Sequence, residues 1–165
     1  MTARLLIFFT CFFQFSLAQD SALIKKQTDS IVAGIDKATG TTQKFRGIRF
    51  QQYEYKMIDD SLVKVVLVSQ RGPGQVKQTW YQHQGALLFA TEHETSYYGR
   101  DSVRWEGTYY FQQGSLIDYV TLGHGKSELD SWDPQKEVQV AWLKARSAVL
   151  DHLRRRTTRI SRETP

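Results

Sequence analysis

The fold is decided by residues 102–111, which read SVRWEGTYYF. Apolar side chains occupy every second position of this stretch, at Val103, Trp105, Tyr109 and Phe111, and the positions between them are mostly polar. A period of two residues is typical of a β-strand with one face on a hydrophobic core. Gly107 falls on the apolar face, which indicates a bend or a place where another group packs closely.

Strand-like segments separated by turn residues extend in both directions from this stretch. The segments are a bent strand from Ile48 to Met57 with a bulge at Gln51-Gln52, then Leu62–Val68, Val76–Tyr81, Ala86–Thr91 and, downstream, Leu116–Leu122. Asp59-Asp60-Ser61, Arg71-Gly72-Pro73-Gly74, Gln84-Gly85 and Gln113-Gly114 separate them, and such residues favour turns because glycine tolerates positive φ and proline fixes its own. The pattern predicts a curved antiparallel meander of about six to eight strands.

Both ends of the domain have helical spacing. Ile24, Ile31 and Ile35 recur before Gly40, and Val138, Trp142, Ala145 and Val149 follow Asp133-Pro134, a capping carboxylate with proline at the first helical position. We therefore expect an α+β fold in which an N-terminal and a C-terminal amphipathic helix flank the sheet.

Residues 1–18 have the pattern of a secretory signal. One arginine precedes a short apolar run, which is below the roughly 20 residues of a membrane-spanning helix, and Ser16-Leu17-Ala18 places small residues before a cleavage site. A buried core helix is the alternative. Cleavage after Ala18 predicts a periplasmic or secreted protein with one globular domain over residues 19–156, and Cys11, the only cysteine, leaves with the signal.

The net charge of +5 comes mainly from the C-terminal region. Residues 157–165 lack hydrophobic periodicity, so we expect a disordered basic tail there. Arg154, Arg155 and Arg156 are candidates for contact with an anionic membrane surface or another anion, and a solvated helix end is the alternative. We do not expect nucleic acid as a partner.

Three nine-residue segments are similar to one another. WYQHQGALL at 80–88 and YYFQQGSLI at 109–117 align directly, and residues 55–63 form a degenerate third copy with Asp60 in place of glycine. The pattern resembles the aromatic-aromatic-x-x-x-G-x-L hairpins of MORN-like repeats and of small exported bacterial proteins. The resemblance implies a scaffold or binding surface rather than catalysis.

Two groups of residues are candidates for a binding site. Tyr97 and Tyr98 precede Gly99-Arg100 in an expected loop, and Trp132 stands before the last helix. Exposed aromatic side chains beside arginine carry binding energy at protein surfaces. Alternatively, Tyr97 and Tyr98 pack into the sheet, and Trp132 packs against the start of the helix.

Metal-binding and phosphate-binding patterns are weaker. Glu92, His93 and Glu94 are possible ligands for a divalent metal, with His83 across the hairpin, but neighbours in a strand point to opposite faces. A solvated hairpin end is the alternative. Gly123-His124-Gly125-Lys126-Ser127 ends like a phosphate-binding loop, although Val120 stands where that motif needs glycine, and the pattern favours a simple glycine turn.

We therefore expect an exported envelope protein that acts as a non-enzymatic binding or scaffold domain. The expected partner is an envelope protein or a glycan, without a cofactor, and the protein is expected to be a monomer or small homo-oligomer. The alternatives are a small glycan hydrolase, for which Glu106 and Asp118 are possible acids, and a peripheral membrane protein bound through the arginine-rich C-terminus. An acid pair or a histidine with a carboxylate converging in a pocket would favour the enzyme.

Overall fold

A computed structural model describes residues 21–98 and 101–163. It confirms the α+β fold, with an N-terminal helix, a seven-stranded antiparallel meander and a C-terminal helix. The expected signal at 1–18 lies outside the described residues. The N-terminal helix belongs to one compact unit and the chain from Ala38 onward to another, and each is described by itself.

The N-terminal helix, α1, covers residues 21–37 of the described chain. Its buried positions, Thr28 and Ile35, lie two turns apart, while Lys26, Gln27 and Asp36 are exposed. The predicted amphipathic pattern is therefore present in this helix.

Seven strands follow in chain order across one sheet, and every neighbouring pair is antiparallel. They are β1 (Thr41–Arg46), β2 (Gln52–Ile58), β3 (Ser61–Arg71), β4 (Gly74–His83), β5 (Ala86–Tyr98), β6 (Asp101–Gln112) and β7 (Ser115–Gly123).

The prediction of a bent strand from Ile48 was wrong, because residues 47–51 form the turn between β1 and β2. The Gln51 amide donates a hydrogen bond to the Ile48 carbonyl at 3.2 Å. Arg49 and Phe50 both have positive φ, at 52° and 61°. Two consecutive left-handed residues make the mirror-image turn that connects twisted antiparallel strands. The apolar alternation of Ile48 and Phe50 therefore belongs to a hairpin tip.

The three similar segments form three equivalent hairpins. Their turns, Asp59-Asp60, Gln84-Gly85 and Gln113-Gly114, all have positive φ at both residues. Each hairpin also has a register shift at the same place in the repeat, after Lys56, Tyr81 and Tyr110. The sequence repeat is thus a repeat of backbone geometry, including the copy in which Asp60 replaces glycine.

The C-terminal helix, α2, covers Pro134–Glu163. The Lys136 amide donates a hydrogen bond to Asp133 Oδ1 at 3.0 Å, as predicted for an N-cap carboxylate. The helix packs on one face of the sheet through its buried residues, Val138, Trp142, Ala145 and Val149.

The centre of the core is one row of side chains that face each other on successive strands. Each is at most 1% exposed: Tyr55, Val65, Trp80, Ala90 and Tyr109. Trp142 of α2 packs on this row, with its ring 6.3 Å from that of Trp80. Helix α2 is therefore held mainly over the middle of the sheet.

Residues 157–163 have helical backbone and continue α2, where the sequence pattern favoured a disordered tail. No glycine or proline occurs between Pro134 and Pro165, and arginine favours helix. The Thr157 and Thr158 hydroxyls donate to the carbonyls of Leu153 and Arg154, at 3.2 and 3.0 Å. Among the described residues, neither helix has the length and apolar content needed to cross a bilayer.

Candidate functional site

A groove runs along one side of α2, which we call the α2 groove. It lies between the helix, strands β2–β4 and the loop from β7 to α2, and it encloses about 760 Å³. Its sheet side is the row next to the core row: Tyr53, Leu67 and Gln78 face each other on consecutive strands. A volume of this size is typical of small-molecule sites.

Part of the floor of the groove is apolar, at Tyr53 and Leu67, and its mouth exposes further apolar surface. Tyr53 and Leu67 are only 7% and 8% exposed, so they form a closed base. Val140 of α2 is 42% exposed and Leu129 of the loop is 61% exposed. An apolar part of a ligand would therefore contact mainly Val140 and Leu129 at the mouth.

Two lysines flank Val140 on the helix side. Lys136 and Lys144 lie one helical turn before and after it, and all three residues line the groove. The two lysines are about 12 Å apart along the helix axis. Neither has an ion-pair partner within the described part of the chain. On the opposite rim, Arg71 lies 3.4 Å from Glu94.

A partly buried ionic cluster lies at one end of the groove. Lys126 Nζ is 2.9 Å from Glu92 Oε2 and also pairs with Glu137 Oε1. The side chains of Lys126 and Glu92 are 13% and 6% exposed, and the ammonium lies 4.8 Å from the centre of the Trp105 ring. One cation thus joins the loop, strand β5 and helix α2.

The loop that ends like a phosphate-binding motif therefore contacts β5, β6 and α2 and has a structural role. Lys126 points inward to carboxylates, and Ser127 Oγ accepts a hydrogen bond from Trp105 Nε1 at 3.0 Å. A Cβ on Gly125 would lie 2.7 Å from Trp105 Cδ1, so this glycine allows the loop to approach the ring.

The tyrosine next to this cluster has a strongly raised pKa. Burial raises the pKa of the Tyr109 hydroxyl, and the negative charges of Glu92 and Glu137 raise it further. Its ring occupies the space above Gly107, where a Cβ would lie 2.5 Å from the hydroxyl oxygen. The glycine on the apolar face of β6 thus marks a close approach, as the sequence suggested.

The candidate binding residues do not form one site. Tyr97 is 51% exposed near the end of β5, Tyr98 is the last residue of that strand, and Arg100 lies outside the described residues. Trp132 lines the α2 groove and packs edge-on against Trp105, with ring centroids 6.2 Å apart. Because side chains alternate along β5, Tyr97 lies on the sheet face opposite Trp105.

The candidate metal ligands are also divided between the two faces of β5. Glu92 pairs with Lys126 and Glu94 with Arg71 on the face toward α2. His93 lies on the other face, with Nδ1 3.5 Å from Glu106 Oε1. In residues 21–98 and 101–163 no three histidine, cysteine or acidic side chains converge as metal ligands.

The candidate arginines lie on the exposed end of α2. Arg154 Nη1 is 3.4 Å from Asp151 Oδ1, and Arg156 donates a hydrogen bond to Gln43 of β1. His152 stacks on Phe45 with ring centroids 4.2 Å apart. Partial burial lowers the pKa of His152, and the charges of Arg156 and Arg155 lower it further.

Sequence reasoning missed the α2 groove. Its only local signal was the spacing of Lys136, Val140 and Lys144 at successive helical turns. The opposite wall comes from three strands, so it depends on strand register. Comparisons with protein-family models, curated proteins and solved structures find no match to this chain.

Proposed function

We propose that this chain is an exported binding protein of the cell envelope, and that its α2 groove holds a ligand with an acidic group and an apolar body. The observation that carries the proposal is a pair of lysines, Lys136 and Lys144, which lie on either side of the exposed Val140 and have no ion-pair partner among residues 21–98 and 101–163. An acidic group would pair with a lysine, while the apolar body would cover Val140 and Leu129.

The groove favours a long-chain carboxylate over a glycan. Sugar rings bind by stacking on open aromatic faces. Tyr53 is only 7% exposed, and it stacks on Phe45 with ring centroids 4.8 Å apart. Trp132 is already packed against Trp105 and Tyr119. An aliphatic chain needs no open ring face, only apolar contact.

Export is supported by the sequence of residues 1–18. The resemblance of the repeated hairpins to MORN-like repeats also favours a binding role, since it implies a surface rather than a catalytic centre. Export and a binding role are both part of the proposal.

Glycan hydrolysis is the second candidate function, and one observation favours it. Glu92 and Glu137 converge on Lys126 at the end of the groove, and a hydrolase uses two carboxylates. Here the lysine bridges them, so each carboxylate already has a cationic partner. Glu137→Gln would abolish glycan turnover if this candidate were right, and it would leave carboxylate binding by Lys136 and Lys144 largely unchanged.

The binding proposal predicts that the exported protein binds a fluorescent long-chain fatty acid and that Lys136→Gln/Lys144→Gln weakens this binding. We expect a loss of about tenfold or more, because a hydrogen bond to a charged group contributes roughly 1.5–3 kcal/mol. Fluorescence titration measures the affinity. The methyl ester of the same acid should bind more weakly to the unaltered protein, since it carries no charge.

Lys77→Gln is the matched control, because Lys77 is an exposed lysine on the other face of the sheet. An equal loss in this control, or equal affinity for the acid and its ester, would show that the groove lysines do not recognise the acid. Failure of the fatty acid to bind at all would also contradict the proposal.

A further inference from the structure

The turn between β1 and β2 exposes two large apolar side chains. Ile48 is 76% exposed and Phe50 is 86% exposed, the two highest values among the exposed large hydrophobic residues of the described chain. We call residues 46–50 the hairpin tip. Buried apolar surface stabilises a fold, so these two side chains contribute little to it where they stand.

The backbone of the hairpin tip is also unfavourable for its residues. Arg49 and Phe50 both have left-handed φ, a region in which bulky side chains are rare. At the second left-handed position, where this turn has Phe50, the equivalent turns carry Asp60, Gly85 and Gly114, which tolerate this conformation better. Strained, exposed residues are found preferentially at functional sites. Phe50 therefore requires an explanation outside the stability of the hairpin.

Two arginines accompany the exposed apolar pair, because Arg46 precedes it and Arg49 lies between Ile48 and Phe50. Arg46 and Arg49 are both exposed, and neither has an ion-pair partner in the part of the chain that the structure describes. In an antiparallel meander alternate turns lie at the same end of the sheet, so the β3–β4 turn shares this end, where Arg71 is already paired with Glu94 at 3.4 Å. The hairpin tip thus combines apolar side chains with a positive surround.

We infer that the hairpin tip docks the protein onto an anionic lipid bilayer. Ile48 and Phe50 enter the boundary between headgroups and acyl chains, and Arg46 and Arg49 contact the acidic headgroups. This inference goes beyond the ligand of the α2 groove and does not depend on it. Gln51, the next residue, lines the groove, so docking would bring the part of the groove at Gln51 close to the lipid.

A bilayer fits this surface better than a protein partner. A stable protein interface buries about 800 Å² on each side. A large apolar side chain such as that of Phe50 contributes roughly 150–250 Å², so Ile48 and Phe50 together fall well short. Binding to a membrane interface scales with the buried apolar area plus the attraction of basic residues to anionic lipids, so two apolar side chains with basic neighbours give reversible binding.

The test is co-sedimentation of the exported protein with vesicles of phosphatidylcholine containing phosphatidylglycerol. The N-terminus left by export is read by mass spectrometry and is the same in every variant. We expect binding that falls with added salt, and weak binding to vesicles of phosphatidylcholine alone. Ile48→Ser/Phe50→Ser should reduce partitioning about tenfold or more. Arg46→Gln/Arg49→Gln should reduce it about 25-fold, because each arginine near an anionic surface contributes about fivefold.

Two controls separate the hairpin tip from general effects. Leu143→Ser removes a similarly exposed apolar residue from α2, and Arg154→Gln/Arg155→Gln removes the same charge from the helix end. We expect smaller losses in both. Equal losses in the controls would overturn the inference, since net charge or general apolarity would then explain binding.

A further variant guards against misfolding as the cause of lost binding. Arg49→Asn/Phe50→Gly places the residues that this turn favours at its two left-handed positions, so it should reduce partitioning while raising the melting temperature. Unchanged partitioning in this variant would overturn the inference. So would tip variants that change the oligomeric state on size-exclusion chromatography and leave partitioning unchanged.

Discussion

Lys126 connects three parts of the structure through two carboxylates. Its ammonium joins the loop after β7 to Glu92 on β5 and to Glu137 on α2. Glu92 is almost fully buried, and a buried carboxylate is stable only when a partner compensates its charge. The lysine therefore has a structural role that its glycine-rich surroundings in the sequence do not indicate.

We expect Lys126→Met to lower the free energy of unfolding by about 3–5 kcal/mol, because Glu92 is left buried without a countercharge. Denaturant unfolding measures the change. The double variant Lys126→Met/Glu92→Gln should recover part of the loss, since no buried charge remains. Lys136→Met is the control on the same groove, and its effect should stay within about 0.5 kcal/mol. Similar losses in both single variants would contradict a special role for Lys126.

At the scale of the element, the β1–β2 hairpin differs from the three repeated hairpins. Its turn carries Arg49 and Phe50 at left-handed positions, where the others carry aspartate, glutamine or glycine. Left-handed backbone costs a residue with a Cβ roughly 1–2 kcal/mol. The hairpin thus keeps two residues that reduce its own stability.

Arg49→Asn/Phe50→Gly should therefore stabilise the protein by about 1 kcal/mol or more. The free energy of unfolding in denaturant is the measurement. Asp59→Asn/Asp60→Gly makes the same change at the β2–β3 turn and should stabilise less, because aspartate tolerates left-handed backbone better than phenylalanine. A gain no larger at residues 49–50 than at residues 59–60 would show that the tip is not strained.

At the scale of the whole molecule, His152 links stability to pH. The pKa of His152 is lowered in the folded protein, first by partial burial and then by Arg156 and Arg155. Below the ordinary pKa of about 6.5, the unfolded chain therefore binds the proton more readily than the folded protein. The contribution of neutral His152 to the free energy of unfolding is therefore fully present above that pH. It is lost as the pH falls through the lowered pKa.

We expect the melting temperature to fall between about pH 7 and pH 5, and His152→Gln to make this fall smaller. His83→Gln, at an exposed histidine, is the control and should leave the pH profile unchanged. Calorimetry across this range provides the measurement. A profile that His152→Gln leaves unaltered would remove this histidine as a source of the pH dependence.

The sequence by itself determined the α+β class, most strands and the start of α2. These features are local: alternation at 102–111 favours a strand, and Asp133-Pro134 starts a helix whichever surface the helix later covers. The three repeated hairpins were visible for the same reason, because a turn type depends on its own residues. The same local logic failed at Ile48 and Phe50, where alternation continued into a turn.

The tertiary structure alone decided the candidate functional surfaces. Tyr53, Leu67 and Gln78 meet only because three strands share one register, and the burial of Lys126 depends on a carboxylate that lies far from it in the chain. Tyr97 and Trp132 are separated because side chains alternate along β5 and β6. Tyr97 therefore lies on the face opposite Trp105, the residue against which Trp132 packs. Local sequence sets the period and the turns, whereas a groove or an ion pair between distant residues exists only after strands and helix have packed.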